Sequence, residues 1–257
     1  MLTLDAVRVA HGRRMVLDVP ALAIDPCRLT VILGHNGSGK STLLRLLARQ
    51  ATPTRGRIAL DGKLLASYGA RELARRLAFL PQQLPDAQGL TVRELAMLGR
   101  YPWRGLLGRW QSADLSAVDA AMRAVDIAHL ADCDSDTLSG GERQRGWIAM
   151  LLAQEAPLLL LDEPTSALDL GHQHELLRLL RRLNRERGRG VITVLHDLNL
   201  ACAYADRIVA LSAGRVAFDG LPADFLAPER LSQLYGIAIE LLPRPGGLPL
   251  AVARKTS

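Results

Sequence analysis

The chain has 257 residues, 49% of them apolar, and a formal net charge of +6 at pH 7. This length and composition allow a substantial core, exclude an intrinsically disordered protein, and predict one large domain or a domain with a subdomain. Three scattered cysteines predict no disulfide framework or zinc site. The longest apolar run, Trp147 to Ala153, is far shorter than the ~20 residues of a membrane-spanning helix.

The positive charge is compatible with three partners: nucleic acid, an anionic membrane surface or a nucleotide. Its densest group, the arginines between residues 181 and 189, has the pattern of the solvated face of a helix. The N-terminal residues alternate like a strand and lack the apolar block of a signal peptide, so we expect a cytoplasmic protein.

Strand patterns dominate the first eighty residues. Alternating or short apolar runs predict strands at Leu2–Val9, Val16–Ile24, Leu29–Leu33, Arg57–Leu60 and Leu77–Leu80. The first and second of these runs alternate between apolar and polar residues. The third is a short apolar run that ends at a glycine and is typical of a buried strand.

The pattern becomes helical from Thr91. Thr91 and Glu94 form a capping-box pair in front of an apolar run that ends at Leu98. Further helices are predicted at Ser112–Val125 and Gly140–Ala153. This helical stretch, from about residue 84 to 155, interrupts the strand signals, and we expect an inserted helical subdomain.

Strands return after the insert. The sequence predicts a strand at Leu158–Leu161, a basic helix at His172–Arg187, a strand at Val191–Leu195 and a final pair at Arg207–Leu211 and Arg215–Phe218. Strands that alternate with helices indicate a largely parallel sheet covered on both faces. After Leu241 the pattern is unclear, and the strand-like run Ile237–Leu242 is expected to pack on the sheet.

The strongest motif follows the apolar strand at Leu29–Leu33 and opens a helix. It fits G-x-x-x-x-G-K-[ST] and consists of Gly34, His35, Asn36, Gly37, Ser38, Gly39, Lys40, Ser41 and Thr42. Glycines let successive backbone N–H groups point at phosphate oxygens, and the helix adds its positive end. Lys40 supplies a charge to the β- and γ-phosphates, and the Ser41 hydroxyl is a ligand for Mg²⁺. The motif predicts ATP binding.

Two adjacent acids end the strand at Leu158–Leu161, where open α/β sheets place their ligands. Asp162 is expected to hold Mg²⁺ through water, and Glu163 to polarise the attacking water. Taken alone, such a pair of acids is equally compatible with a structural role and with a catalytic one. The phosphate loop favours the functional interpretation.

Three weaker signals complete the set. Ser139, Gly140 and Gly141 open a helix, which is either a second anion-binding terminus or an ordinary helix cap. Gln82 is placed to contact the metal and water, although a lone glutamine is ordinarily a surface residue. His196 ends a strand and can reach the γ-phosphate, although an isolated histidine there is more often structural.

These motifs occur in the order found in ATPase subunits of ABC transporters, which the chain resembles over nearly its whole length. The resemblance implies a P-loop NTPase (RecA-like) core at 1–83 and 156–257, with an N-terminal antiparallel β subdomain and a helical subdomain at about 84–155. Together these make a single ABC ATP-binding domain, 1–257. It also implies an ATP-sandwich dimer, in which the signature residues Ser139, Gly140, Gly141 and Gln144 meet the γ-phosphate held by the other copy.

The resemblance assigns further roles. Ser166 and Asp169 lie in the loop that links the two sites, and His196 senses the γ-phosphate. The family stacks adenine on an aromatic residue ahead of the phosphate loop, where this chain has His11, which offers less stacking area. Glu163, His196 and Lys40 are therefore the expected catalytic residues, and Ser41, Gln82 and Asp162 the expected Mg²⁺ ligands.

A closer resemblance lies in the stretches Phe79–Pro85, Gly99–Gly105, Leu107–Arg109, Glu142–Ala149, Asp219–Gly220 and Tyr235–Ile237. These look like the ATPase subunits of iron-chelate and cobalamin importers, most like the ferric-hydroxamate siderophore importer. Such subunits receive a membrane permease on the helical subdomain, here around Tyr101 and Trp103, at the cytoplasmic face of the membrane. A substrate-binding protein takes part indirectly. The alternative for these aromatic residues is packing within the subdomain.

Other functions stay open at this point. Haem, cobalamin or ferric citrate are alternative cargoes, and an exporter motor is an alternative class. An ABC-type ATPase acting on DNA or ribosomes would suit the basic charge. However, such proteins carry long inserts or two cassettes, whereas here Ser139 follows Gln82 by only 57 positions. We expect no nucleic-acid partner.

Overall fold

The structure is a computed structural model that describes residues 1–12, 14–104 and 108–254. Gly105 and Leu107, which belong to motif stretches quoted above, lie outside the described residues. The chain forms two compact units. The first unit comprises Met1–Ser67 with Gly190–Ser257, and the second comprises Tyr68–Arg189. The boundaries of the RecA-like core and of the helical subdomain at 84–155 remain predictions.

The strands and α-helices are numbered in chain order. The described strands are β1 (Leu2–His11), β2 (Arg14–Ile24), β3 (Leu29–Leu33), β4 (Arg55–Leu60), β5 (Lys63–Leu64), β6 (Leu77–Leu80), β7 (Leu158–Asp162), β8 (Gly190–Val194), β9 (Arg207–Ser212), β10 (Arg215–Gly220), β11 (Ile239–Leu242) and β12 (Leu250–Ala253). The described helices are α1 (Lys40–Leu47), α2 (Ala70–Ala74), α3 (Val92–Leu98), α4 (Tyr101–Arg104), α5 (Ser112–Ala124), α6 (Gly140–Ala153), α7 (Leu170–Arg187), α8 (Leu198–Tyr204), α9 (Pro222–Phe225) and α10 (Pro228–Tyr235).

The first unit holds an antiparallel sheet in the order β2-β1-β4-β5. Strand β1 pairs with both β2 and β4 and buries Leu2, Leu4, Val7 and Val9, while Asp5 and Arg8 are exposed. This is the expected one-sided alternation, locally shifted by irregularities in both pairings. The predicted N-terminal antiparallel sheet is present.

The first unit also holds parallel strands. Strand β3 pairs in parallel with β8 on one side and β9 on the other, and β10 adds antiparallel to β9. Every residue of β3 and β8 is buried, which is typical of central parallel strands. Because β3 and β8 run in the same direction, the loop after β3 and His196 after β8 follow the same edge of the sheet.

The second unit combines a parallel strand pair with helices. Strand β6 pairs with β7 in register from Leu77–Leu158 to Leu80–Leu161, so Gln82 and the acids at 162 and 163 follow neighbouring strand ends. Helices α3, α5 and α6 pack on one another. No helix in the described ranges is long and apolar enough to cross a membrane.

One expectation was wrong. The run Ile237–Leu242 was expected to pack on the main sheet, but β11 pairs with β12 in a separate two-stranded sheet. Asn199 of α8 exchanges two hydrogen bonds with the backbone of Ala251 in β12, at 2.9 and 3.1 Å. The partner strand lies beyond a Pro- and Gly-rich turn, which hid it from the sequence pattern.

The cysteines occupy two environments. Cys27, in the first unit, and Cys133, in the second, are exposed, whereas Cys202 is buried in α8. Burial, with a smaller effect from Asp197, raises the pKa of the Cys202 thiol to about 12.

Candidate functional site

The loop after β3 is built on glycine conformations. Gly34, Gly37 and Gly39 have φ values of 144°, 77° and 101°, which side-chain-bearing residues rarely adopt. A Cβ on Gly34 would lie 2.3 Å from the carbonyl oxygen of Leu211 and 2.6 Å from Oγ of Ser38. The loop is thus both tightly turned and closely packed at its first glycine.

Lys40 lies over this loop. Its side chain is buried, and its Nζ donates to the carbonyl oxygens of Gly34 at 2.9 Å and His35 at 3.1 Å. The ammonium is therefore held at the mouth of the loop. This is where the phosphates of a nucleotide bind in P-loop proteins.

The start of α1 has the features of an anion site. Gly39 occupies the N-cap, no side chain caps this end in the described structure, and the first turn holds no acidic residue. The N–H groups there and the positive end of the helix dipole favour an anion. The buried Oγ of Ser38 has no hydrogen-bond partner within the described ranges. Ser41 and Thr42, which follow Lys40, lie in the first turn.

The other predicted nucleotide-binding residues of the first unit are exposed. His35 and Asn36 are exposed at the tip of the loop, where Nδ1 of His35 lies 2.7 Å from the carbonyl oxygen of Asn36. His11 is exposed at the end of β1. His196 is exposed between β8 and α8, and Asp197 caps that helix by accepting from the Leu200 amide at 2.8 Å.

In the second unit, Glu163, the residue directly after β7, is hydrogen-bonded to Gln82. The Gln82 amide Nε2 donates to Oε2 of Glu163 at 2.6 Å. Asp162 and Glu163 are both buried, and Glu163 has a φ of 54°, unusual for a residue with a side chain. Strained backbone of this kind is concentrated at functional sites because the surrounding structure must enforce it.

Ser139 is engaged as a helix cap. Its Oγ accepts from the Glu142 amide at 3.4 Å and donates to Oε2 of Glu142 at 2.6 Å, while its own amide donates to the same oxygen at 2.9 Å. The Ser139 hydroxyl, followed by the Ser139 amide, lowers the pKa of Glu142. Of the two alternatives left open by the sequence, the cap is therefore present; phosphate binding by Ser139 and Gly141 stays a prediction.

Helix α6 is tied to the turn that follows the acids. The buried Gln144 donates through Nε2 to the carbonyl oxygen of Pro164 at 2.5 Å. The amide of Ser166 donates to the carbonyl oxygen of Glu163 at 3.2 Å. These bonds fix the start of α6 and residues 163–166 relative to each other.

Asp169 begins the next helix. Its Oδ1 accepts from the amide of His172 at 2.9 Å, and its Oδ2 lies 2.8 Å from Nδ1 of the same histidine. The backbone bond and then the side-chain contact lower the pKa of Asp169. This capping contact holds the predicted linking loop against α7.

A cavity of about 730 Å³ in the second unit brings several predicted residues together. Its lining includes Gln82, Gly140, Gln144 and Ser166, with Asp136 and Arg143 at the same opening. The residues of three separate motifs thus share one surface. The spacing of those motifs along the chain does not predict that they meet at one surface.

The oxygen chemistry suits Mg²⁺ held mainly by a nucleotide. No group of three or more His, Cys, Asp or Glu side chains able to hold a metal occurs in the described ranges. Mg²⁺ in phosphate-transfer sites uses one or two protein oxygens, several waters and the phosphates. Ser41, Asp162 and Gln82 each offer an oxygen of this kind, and their assembly around one ion stays a prediction.

Helix α4, Tyr101–Arg104, carries exposed aromatic residues and is called the aromatic turn below. Tyr101, Trp103 and Trp110 are exposed. The guanidinium of Arg104 lies 3.6 Å from the ring centre of Trp110, and that of Arg75 lies 5.2 Å from the ring centre of Trp103. Exposed aromatic residues with arginines are typical of docking surfaces.

Comparisons with known proteins agree with the family resemblance inferred from the sequence motifs. The sequence model of the family described as "ABC transporter" matches residues 17–166. Two relatives are similar over most of the chain. The ferric enterobactin transport ATP-binding protein FepC of Escherichia coli (strain K12) is 45% identical over 249 residues, 96% of this chain and 92% of that protein. The hemin import ATP-binding protein HmuV of Rhodococcus jostii (strain RHA1) is 43% identical, over 98% of this chain and 85% of that protein.

A solved structure is similar in fold. It is the dimeric structure of a post-hydrolysis state of the ATP-binding cassette MJ0796 bound to ADP and Pi. The TM-score is 0.78 and the identity 29%, and the match covers 86% of this chain and 99% of that chain.

Proposed function

The chain belongs to the ABC transporter family, and on that premise we propose that it is the ATP-hydrolysing motor subunit of an importer for an iron chelate, of the ferric siderophore class. The observation that carries the substrate class is the 45% identity with FepC, which extends over 96% of the chain. The observation that carries the chemistry is the loop from Gly34 to Thr42 with Lys40 held at its mouth.

Phosphoryl transfer requires positioning and charge stabilisation more than covalent chemistry. We expect the loop amides and Lys40 to bind the β- and γ-phosphates and to stabilise charge as the γ-phosphoryl leaves. Glu163 accepts a proton from the attacking water, and Gln82 orients its carboxylate. Ser41, Asp162 and Gln82 would hold Mg²⁺, which would supply neutralisation of the phosphate charge. His196 acts as the γ-phosphate sensor and His11 contacts adenine.

The proposal includes a second copy of the chain. Ser139, Gly140, Gly141 and Gln144 would contact the γ-phosphate of ATP held by the partner, with Ser166 and Asp169 linking the two sites. The MJ0796 cassette, similar in fold, was solved as a dimer with ADP and Pi. On this basis an isolated chain binds ATP but hydrolyses it slowly until it pairs.

The other partner is a separate membrane permease. We propose that it docks on the helical subdomain, at about residues 84–155, near Tyr101 and Trp103. The chain would then work at the cytoplasmic face of the membrane, peripherally attached. A substrate-binding protein would act on it only through the permease, and no nucleic acid is involved.

Haem import is the second candidate, favoured by the 43% identity with HmuV. The ATPase does not need to touch the cargo, so the two candidates share every residue discussed above. They differ in the permease and binding protein that activate the motor.

The experiment is to purify the chain with its co-isolating permease in lipid and to measure phosphate release. Binding protein loaded with a ferric siderophore should raise the rate severalfold above that with empty binding protein. Binding protein loaded with haem is the parallel arm. Stimulation by haem alone would replace the siderophore assignment with the haem one, and no stimulation by either would refute both assignments.

A further inference from the structure

The aromatic turn at α4 is joined by hydrogen bonds to the end of α6. Nε1 of Trp103 donates to the carbonyl oxygen of Gln154 at 2.7 Å. The buried Arg100 donates to the carbonyl oxygen of Ala153 at 2.8 Å and to Oδ1 of Asp114 at 2.9 Å. The last carbonyls of a helix lack partners within it, so the residues beside the turn cap this helix end.

Gln154 extends the connection to β6. Its side-chain Nε2 donates to the carbonyl oxygens of Ala74, at 2.5 Å, and Leu77, at 3.0 Å. Leu77 is the first residue of β6, and Gln82 follows that strand after Pro81. One residue therefore touches the turn with its backbone and the strand leading to Gln82 with its side chain.

Arginines from α2 hold the other side of the turn. Arg71 donates to the carbonyl oxygens of Pro102 at 2.7 Å and Trp103 at 2.9 Å, and Arg75 donates to that of Pro102 at 2.8 Å. A displacement of the turn is thus opposed from α2 as well as from α6.

The end of α3 packs closely against α6. A Cβ on Gly99 would lie 2.2 Å from the carbonyl oxygen of Met150. The backbones of α3 and α6 therefore meet at a distance that only glycine permits. Helix α6, 14 residues and about 21 Å long, runs from this junction to its cap at Ser139.

We propose that Gln154 is a positioning residue that couples a partner bound at the aromatic turn to the two nucleotide-facing motifs of this unit, Gln82 and Ser139. Gln154 contacts all three elements. Its backbone carbonyl accepts from Trp103 of the aromatic turn, and its side-chain amide donates to Leu77 at the start of β6. Gln154 is also the C-cap of α6, the helix whose N-cap is Ser139. The inference rests on the proposed function, because the partner is the permease. It adds a residue with a separate, measurable effect.

The test uses the chain in complex with its permease, with the variant Gln154→Leu. Leucine keeps the size and the backbone carbonyl but removes the amide that donates to Ala74 and Leu77. Gln233→Leu, at an exposed position of α10, is the matched control. For each protein the melting temperature, the affinity for the permease, the basal ATPase rate and the rate with loaded binding protein are measured.

We expect Gln154→Leu to bind the permease and to keep its basal rate within about twofold. Its stimulated kcat should fall about 2- to 30-fold at unchanged KM for ATP, the range found for mutations along coupling networks. Gln233→Leu should match the wild type. Trp103→Phe, which removes the indole donor, should lose stimulation beyond any loss of permease affinity.

Three results would overturn the inference. One is full stimulation of Gln154→Leu, and another is an equal loss in Gln233→Leu. The third is a loss explained wholly by weaker permease binding. These are distinct from failure of the proposed function, in which the wild-type complex itself would show no stimulation and both proposals would fall together.

Discussion

The side-chain amide of Gln82 donates a 2.6 Å hydrogen bond to the carboxylate of Glu163, and both follow neighbouring parallel strands, β6 and β7. The bond holds the Glu163 carboxylate against a residue that follows β6. Because Glu163 also has a positive φ, its orientation depends on its surroundings rather than on a relaxed backbone.

Glu163→Gln should abolish turnover while sparing ATP binding. The amide has nearly the shape of the carboxylate but cannot accept a proton, and a general base contributes about 100-fold or more to rate. Phosphate release should fall by that factor, and gel filtration with ATP should show an accumulated dimer. Glu186→Gln, at an exposed position of α7, is the control. Near-normal hydrolysis by Glu163→Gln would remove Glu163 from the mechanism.

Gly34→Ala and Gly37→Ala form a matched pair in the phosphate loop. The first adds a Cβ 2.3 Å from a backbone oxygen at a φ of 144°, whereas the second meets nothing within 4 Å at a φ of 77°. We expect losses in unfolding free energy of about 2–5 kcal/mol and about 1 kcal/mol respectively, measured by urea titration. Equal losses would show that the packing against Leu211 is unimportant.

Ser139→Ala should reveal whether the cap is the whole role of Ser139. Losing an N-cap side chain costs about 1 kcal/mol of stability. Glu142→Ala removes the other half of the same capping box but leaves the hydroxyl. If Ser139 also binds phosphate in the dimer, Ser139→Ala alone should lose the rise of ATPase rate with protein concentration. If the two variants lose equal activity, its role is structural.

Acid should weaken the chain through its helix caps. The pKa values of Glu142, Asp169 and Glu94 are lowered by hydrogen bonds to their folded, ionised forms. Groups with a lowered pKa stabilise the fold above their ordinary values, 4.5 for Glu and 3.8 for Asp, and that contribution disappears as pH falls through the folded values. The urea midpoint should therefore drop as the pH falls below about 5.

A variant without an ionisable group at position 142 measures the contribution of one of these caps to the acid sensitivity. Glu142→Gln keeps an oxygen that accepts from the Ser139 amide but carries no charge at any pH. Its urea midpoint should vary less with pH than that of the wild type. Parallel curves for the two proteins would show that Glu142 does not contribute to the acid sensitivity.

Much of the fold was predictable because its patterns are local. The helix at Gly140–Ala153 and its cap at Ser139 were predicted and are confirmed, as is the capping box of Thr91 and Glu94. The strand at Leu29–Leu33 is confirmed with the same bounds. The family resemblance and the α/β fold are confirmed by the family match and by the similar structures.

Contacts between distant segments were not predictable. Gln154 is one polar residue at a helix end, and nothing in its neighbours along the chain indicates that it meets Leu77 and the indole of Trp103. The hairpin of β11 and β12 was missed for another reason, since the Pro- and Gly-rich turn between its strands obscured the strand pattern. The roles of the individual site residues stay predictions, because they depend on nucleotide and partners.

The three thiols differ in reactivity, which gives a labelling scheme without any cysteine substitution. Burial keeps Cys202 protonated and shielded, whereas Cys27 and Cys133 are exposed. A maleimide dye pair would therefore attach once to each compact unit. Energy transfer between the two dyes would then report, on single wild-type molecules, any change in the distance between the labels when ATP is added.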